Sequence, residues 1–283
     1  MSQNVFKLAE LIRLQFNSGQ SKLPVLPEAV IEVRKIVGDE NRGAADIAKV
    51  IGNDPTLSTT VLRIANSARF KTGGHEIRSL PMAIQRLGGR RTLQLLVAIS
   101  SKLHMQVKNK GLQSILRKSS EHSLMVAVAA QHLARLIKCS EPEEAFLAGI
   151  IHDVGVPAVV CAASEELAGC ETKEQLLLIQ ELHREMGGRL LNQWEMPDIF
   201  AAVASHHGIE ADDRPRENMI DLIDAADFLI QRSGFNVMFD AIAENIEVEH
   251  FPPVQRLGIS ATHLAAVEVE LEEGLEELQQ IFS

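Results

Sequence analysis

Six of the ten histidines lie between His122 and His207, and one is followed directly by an aspartate in Ala148-Gly149-Ile150-Ile151-His152-Asp153-Val154-Gly155. An imidazole nitrogen and a carboxylate oxygen side by side are complementary donors to one divalent cation. Further donors stand at His122, at His183 ahead of Arg184-Glu185-Met186-Gly187, at the pair His206-His207, and at Asp227 after Ala225-Ala226. Seven such side chains suffice for one metal ion or for two. Ile150, Ile151 and Val154 around the His-Asp pair raise the cost of leaving it uncompensated, because a lone buried carboxylate loses several kcal/mol of solvation. A bound cation would offset that cost, and so would a metal-free network of His-Asp hydrogen bonds. His75, His104, His132, His250 and His263 read as ordinary core or surface residues.

The elements that must carry these donors read as helices, giving an all-α fold. Apolar residues recur at three- and four-residue steps, while β-branched and aromatic runs are short. Helices are expected over residues 28–38, 46–52, 55–66, 81–88 and 91–105. Asp54 serves as an N-cap before Pro55, Asn66 as a left-handed helix end, and Gly88 as a turn. A long helix over 115–138 places His122, Val126, Ala129, Leu133 and Leu136 on one stripe. Ser140 to Glu143 has the form of a capping box, opening a helix that ends at His152-Asp153, with Gly155 and Pro157 as stops. Further helices are expected over 172–182, 184–195, 198–206, 217–232 and 260–281, the last an acidic amphipathic one.

Composition narrows the class. With 46% hydrophobic and 23% charged residues the chain has the balance of a globular protein. No uninterrupted apolar run reaches the ~18 residues a membrane span requires, and the first residues lack a secretory signal. Cys139, Cys161 and Cys170 are odd in number and form no CxxC pair, which fits a reducing cytoplasm. Residues 1–110 carry 17 Lys and Arg against 8 Asp and Glu, whereas residues 111–283 carry 11 against 30. The positive residues are scattered, the densest group being Arg86, Arg90 and Arg91, so no membrane or nucleic-acid partner is expected.

The order His122, His152-Asp153, Asp227 resembles the H…HD…D pattern of the HD superfamily of helical metal-dependent phosphohydrolases. His183, with Gly187 four residues on, and the tandem His206-His207 resemble the dinuclear HD-GYP variant. Leu23-Pro24-Val25-Leu26-Pro27, Ile51-Gly52-Asn53-Asp54-Pro55, Leu62-Arg63-Ile64-Ala65-Asn66-Ser67-Ala68, Ala83-Ile84-Gln85-Arg86-Leu87-Gly88 and the approach Ala145-Phe146-Leu147-Ala148 to His152-Asp153 are similar to the HDOD family (HD-related output domain) over about residues 20–232.

The resemblance implies an N-terminal helical bundle over 1–108 and an HD-like helical domain over 109–283. It implies a signalling or regulatory role through protein partners or a small phosphorylated ligand. It also implies divalent metal (iron, manganese, zinc or nickel), one ion or two, held by His122, His152, Asp153, His183, His206, His207 and Asp227. If the site turns over, it is a phosphohydrolase acting on a nucleotide or phosphate ester, with Asp153 as its central residue. Three departures weigh against turnover. Val156 stands where HD-GYP enzymes carry lysine, the Gly-Tyr-Pro stretch is missing from a chain without tyrosine, and Lys118 takes the place of an acidic residue one turn before His122. Hydrolysis of cyclic di-GMP is therefore not expected.

Overall fold

The computed structural model describes residues 3–18, 26–67, 75–103, 107–208, 215, 217–233, 247–269 and 271, and every regular element among them is a helix. The helices are α1 (Gln3–Asn17), α2 (Glu28–Val37), α3 (Ala44–Ile51), α4 (Pro55–Asn66), α5 (Leu80–Leu87), α6 (Gly89–Leu103), α7 (Lys110–Ile137), α8 (Pro142–Ile151), α9 (Gly155–Ala162), α10 (Ser164–Ala168), α11 (Thr172–Gln193), α12 (Asp198–His206) and α13 (Asn218–Arg232). A 3₁₀ turn at Val248–His250 and a short helix at Pro252–Arg256 follow, and residues 261–269 are helical.

The chain forms two compact units, one holding α2 to α6 and the other α1 together with α7 onward. In the first unit the buried positions repeat at helical spacing: Val30, Val33 and Ile36 on α2, Leu57, Val61 and Ile64 on α4, Ile84 and Leu87 on α5. Asp54 caps α4 by accepting from the amides of Thr56 and Leu57 at 2.8 and 3.0 Å, and Pro55 fills the first helical position, where no amide is needed. Asn66 acts differently from a left-handed end: its amide accepts from Ile77 N at 2.8 Å and donates to Ile77 O at 2.7 Å. It thereby ties the end of α4 to the segment that leads into α5. Arg86 is likewise committed locally, to the carbonyls of Ala65 and His75 at 3.0 and 3.3 Å.

Helix α1 departs from the expected 1–108 grouping, because it packs on α11 in the second unit. Val5, Ala9 and Ile12 are buried there, and Arg13 pairs with Glu181 and Glu185, each at 2.9 Å. An amphipathic stripe shows that a helix needs a partner, but not which one.

In the second unit α7 begins five residues earlier than expected, capped by Asn109, which accepts from Gly111 N at 2.9 Å and Leu112 N at 3.1 Å. Of its stripe, Leu136 is the exception, 36% exposed at the far end. The cap of α8 is Glu141, with Pro142 at the first position. The two helices expected over 172–182 and 184–195 are one, α11, since nothing between them breaks the hydrogen-bond ladder. Much of the acidic stretch expected over 260–281 lies outside the described residues.

Two glycines fix the turn between α8 and α9. A Cβ on Gly149 would lie 2.4 Å from Ala127 Cα on α7, and one on Gly155 would lie 1.7 Å from the carbonyl oxygen of His183 on α11. Gly155 is thus not a stop: it opens α9 and lets the helix press against α11. The His152-Asp153 turn is held between these two contacts. The span Pro142–Ala162 is long and apolar enough to cross a membrane by length and composition, more than the sequence reading allowed. It is instead α8, a turn and α9, with 83% of its most apolar window buried inside the protein.

Candidate metal centre

Five separate stretches of the second unit converge on Asp153. His122 comes from α7, His152 and Asp153 from the α8–α9 turn, His183 from the middle of α11, His207 from the end of α12 and Asp227 from α13. All six side chains are buried. His122, His152 and Asp153 form one group whose donor atoms all lie within 4.8 Å of one another, and Asp153, His183 and His207 form a second. Asp153 belongs to both. Its Oδ2 is 3.7 Å from His152 Nε2, and its Oδ1 is 3.2 Å from His207 Nε2 and 3.7 Å from His183 Nε2. Asp227 Oδ1 lies 3.0 Å from His122 Nε2, and Gln231 Nε2 donates to both Asp227 oxygens at 3.0 Å.

The backbone sets the tautomers. His152 Nδ1 lies 2.8 Å from Gly149 O, His183 Nδ1 lies 2.9 Å from Gln180 O, and His207 Nδ1 lies 3.1 Å from Ala204 O. A carbonyl only accepts, so each Nδ1 carries the proton and, in the neutral ring, Nε2 presents its lone pair. Those three Nε2 atoms face the interior of the cluster. His183 Nε2 and His207 Nε2 stand 3.3 Å apart, a repulsive approach of two lone pairs unless a cation or proton lies between them.

Two buried atoms here have no hydrogen-bond partner, His152 Nε2 and Asp153 Oδ1. The 3.2 Å approach of His207 to Asp153 is close enough for ion pairing but does not give that oxygen a hydrogen bond. Orphaned polar atoms at the centre of a buried cluster are costly, and both would be satisfied by a divalent ion. The donor set therefore fits metal, with mixed nitrogen and oxygen ligands.

His206 stands apart from both groups. It is partly exposed, and its Nδ1 is committed to Ala202 O at 2.9 Å. Consecutive residues at a helix end point in different directions, so only His207 of the pair turns inward. Val156 is fully buried and Lys118 is exposed. Asp224 was not singled out from the sequence, yet it is buried and its Oδ1 accepts from Gly208 N at 2.8 Å, anchoring the turn that follows His207. Asp221, Asp224 and Asp227 recur every three residues within an otherwise apolar run from Met219 to Ile230, a pattern that signals buried carboxylates with partners. Asp221 meets Arg256 through two contacts at 2.7 and 2.8 Å.

Electrostatics follow from the packing. Burial opposes charge on Asp153, but His152, His207 and His183 together hold its carboxyl well below the usual range. Burial pushes His152 down, and pushes His183 down to about 3. Burial acts in the same sense on His207, where the Asp153 carboxylate outweighs it and the net shift is upward. In the unfolded chain a histidine titrates near ~6.5. Between that value and about 3 the unfolded state therefore binds a proton that folded His183 refuses, so acid favours unfolding. His152 adds in the same direction. His207 works oppositely, its contribution being lost only as pH rises through its elevated value. Chelator-treated protein should accordingly lose stability as pH falls from ~6.5 towards ~4, with the urea midpoint moving steadily lower. A midpoint independent of pH over that range would contradict the buried neutral imidazoles.

The fold and the cluster together define an all-helical protein of the HD type. Residues 23–209 match the HDOD domain family, and the chain belongs to it. It is similar over its whole length to a candidate metal-dependent phosphohydrolase from Shewanella amazonensis SB2B, with TM-score 0.81, 18% identity and 100% of each chain covered. It also resembles a candidate signal transduction protein from Marinobacter aquaeolei VT8, with TM-score 0.59 and 17% identity, covering 97% of this chain and 65% of that one. An uncharacterized protein of Treponema pallidum (strain Nichols) is 23% identical over 203 residues, 66% of this chain. The aligned region spans only 38% of the length of that curated relative.

Proposed function

We propose that this HDOD protein is a regulatory module whose second unit holds divalent metal. His122, His152 and Asp227 would serve one ion, His183 and His207 the other, with Asp153 shared between them. The observation that carries the reading is the pair of donor groups meeting at Asp153, with the unpartnered atoms His152 Nε2 and Asp153 Oδ1 at their centre. A divalent ion bound there supplies Lewis acidity and positive charge that phosphate oxygens can use. The chain's own contribution is to fix three imidazoles in the Nδ1–H tautomer, keep Asp153 ionised, and surround the centre with apolar α8 and α9.

Binding without turnover fits the residues better than hydrolysis. A phosphohydrolase needs groups that stabilise the transition state beyond ground-state binding, and position 156 offers buried valine where a cation would serve. The relative from Marinobacter, described by a signalling role, is consistent with a regulatory module working through protein partners. Phosphohydrolysis of a nucleotide or phosphate ester is the second reading, favoured by the completeness of the donor set and by the description of the Shewanella protein. Manganese-loaded protein incubated with a nitrophenyl phosphodiester and with nucleoside phosphates separates the two. We expect no turnover above that of the Asp153→Ala variant. Turnover that depends on Asp153 would replace the regulatory reading with the enzymatic one.

A further inference from the structure

We infer that Gln231 is a positioning residue for one of the two ions. It aims Asp227 at the centre and, as a neutral donor, leaves the carboxylate charge for the cation. The inference rests on the metal reading above and adds the residue that sets one position apart from the other.

The three aspartates of α13 have three different partners. Asp221 meets the Arg256 guanidinium at 2.7 and 2.8 Å, so its charge is neutralised. Asp224 accepts from the backbone amide of Gly208. Asp227 accepts from Gln231 Nε2, which lies 3.0 Å from each of its oxygens, and its Oδ1 is also 3.0 Å from His122 Nε2. Among the described residues neither lysine nor arginine pairs with Asp227. The guanidinium of Arg232, the next residue along, lies over the Phe228 ring, 5.9 Å from its centre. Asp227 and Gln231 both stand beyond residues 23–209, the span that matches the family.

The two hydrogens of the Gln231 amide match the two oxygens of Asp227. The carboxylate cannot turn about its Cβ–Cγ bond without giving up those contacts, which fixes the oxygen that faces His122. The anchor is itself held. Gln231 sits one helical turn from Asp227, and Ser233 closes the helix by donating from its amide and its hydroxyl to Leu229 O, each at 3.1 Å. A glutamine four residues after an aspartate also steadies a helix in its own right, a role that would leave metal untouched. Here the acceptor is buried and its Oδ1 meets His122, a donor of the first group.

Charge explains the residue type. A carboxylate paired with a guanidinium, as Asp221 is, has lost most of its attraction for another cation. An uncharged donor orients the carboxylate and leaves it negative. Loss of such an outer partner costs about 10- to 100-fold in metal affinity. In the second group His183 and His207 are held by backbone carbonyls, at 2.9 and 3.1 Å. A change at Gln231 therefore acts on one position and spares the other.

Manganese titrated into chelator-stripped protein, with the free ion followed by electron paramagnetic resonance and helicity by circular dichroism, tests this. We expect two ions in the wild type. Gln231→Leu should weaken one by about 10- to 100-fold and leave the other at wild-type affinity, the spared ion reporting an intact unit. Gln231→Met, closer in length, takes its place if helicity falls. Gln231→Lys should lose the same ion although it restores a donor, because lysine would pair with Asp227 as Arg256 does with Asp221. Adding His207→Ala to Gln231→Leu should remove the remaining ion, whereas adding His122→Ala should spare it. Two ions at wild-type affinity in Gln231→Leu overturn the role of Gln231 and leave the metal reading intact. Wild-type affinity in Gln231→Lys overturns the charge argument. Loss of both ions from a helical Gln231→Leu chain overturns the restriction to one position. A wild type that takes up fewer than two ions overturns the two-ion reading, and this inference with it.

Discussion

Replacing Asp153 with alanine should strip the second unit of metal at both positions at once. No other side chain belongs to both donor groups, so the loss cannot be confined to one ion. Removing residues that merely orient ligands costs about 10- to 100-fold in metal affinity. Loss of a shared ligand should therefore exceed ~100-fold, and metal retained through gel filtration should fall to background. Asp153→Asn preserves the shape and removes the charge, and should be nearly as damaging because the ionised carboxylate supplies the attraction. His122→Ala and His207→Ala are the informative contrasts, since each should lower metal content by about half. A variant at Asp153 that keeps one ion tightly bound would show that the two groups do not share it.

The largest stability effect should come from Gly155→Ala. The new Cβ would sit 1.7 Å from the carbonyl oxygen of His183 and 2.5 Å from its carbonyl carbon, both backbone atoms in the middle of α11. Neither can swing aside, so α9 and α11 must separate. Overpacking of this kind costs about 1–3 kcal/mol and sometimes more. With three backbone atoms to clear, Gly187 N at 2.8 Å being the third, about 3 kcal/mol is expected, a fall of roughly 6–12 °C in Tm for a unit of this size. Because the clash is on the peptide carrying His183, metal content should fall too. Gly169→Ala is the control: there a Cβ meets only Glu166 O at 3.5 Å, and Tm should stay within about 2 °C, as for surface substitutions. Equal melting temperatures for the two variants would contradict the close packing of α9 on α11.

The donors were legible in the sequence because residue type and order carry them. Histidine and aspartate among Ile150, Ile151 and Val154 are conspicuous, and the spacing of apolar residues places the donors on helices or at helix ends. His207 and His206 could not be told apart that way. Which of two adjacent imidazoles faces inward depends on how α12 ends, and that is settled by packing. The role of Gly155 was hidden for a similar reason: glycine after a helix reads as a stop, while a close approach by a helix 28 residues away leaves no local mark. Helix α1 is absent from the expected helices, which begin at residue 28, and nothing local names α11 as its partner. Local chemistry was readable, and the long-range contacts that give it meaning were not.

Anomalous diffraction from crystals of manganese-loaded protein tests the central claim most directly. Two peaks are predicted, one among His122, His152 and Asp227 and the other beside His183 and His207, with Asp153 between them. A single peak away from Asp153, or none in protein loaded with excess manganese, would contradict the account.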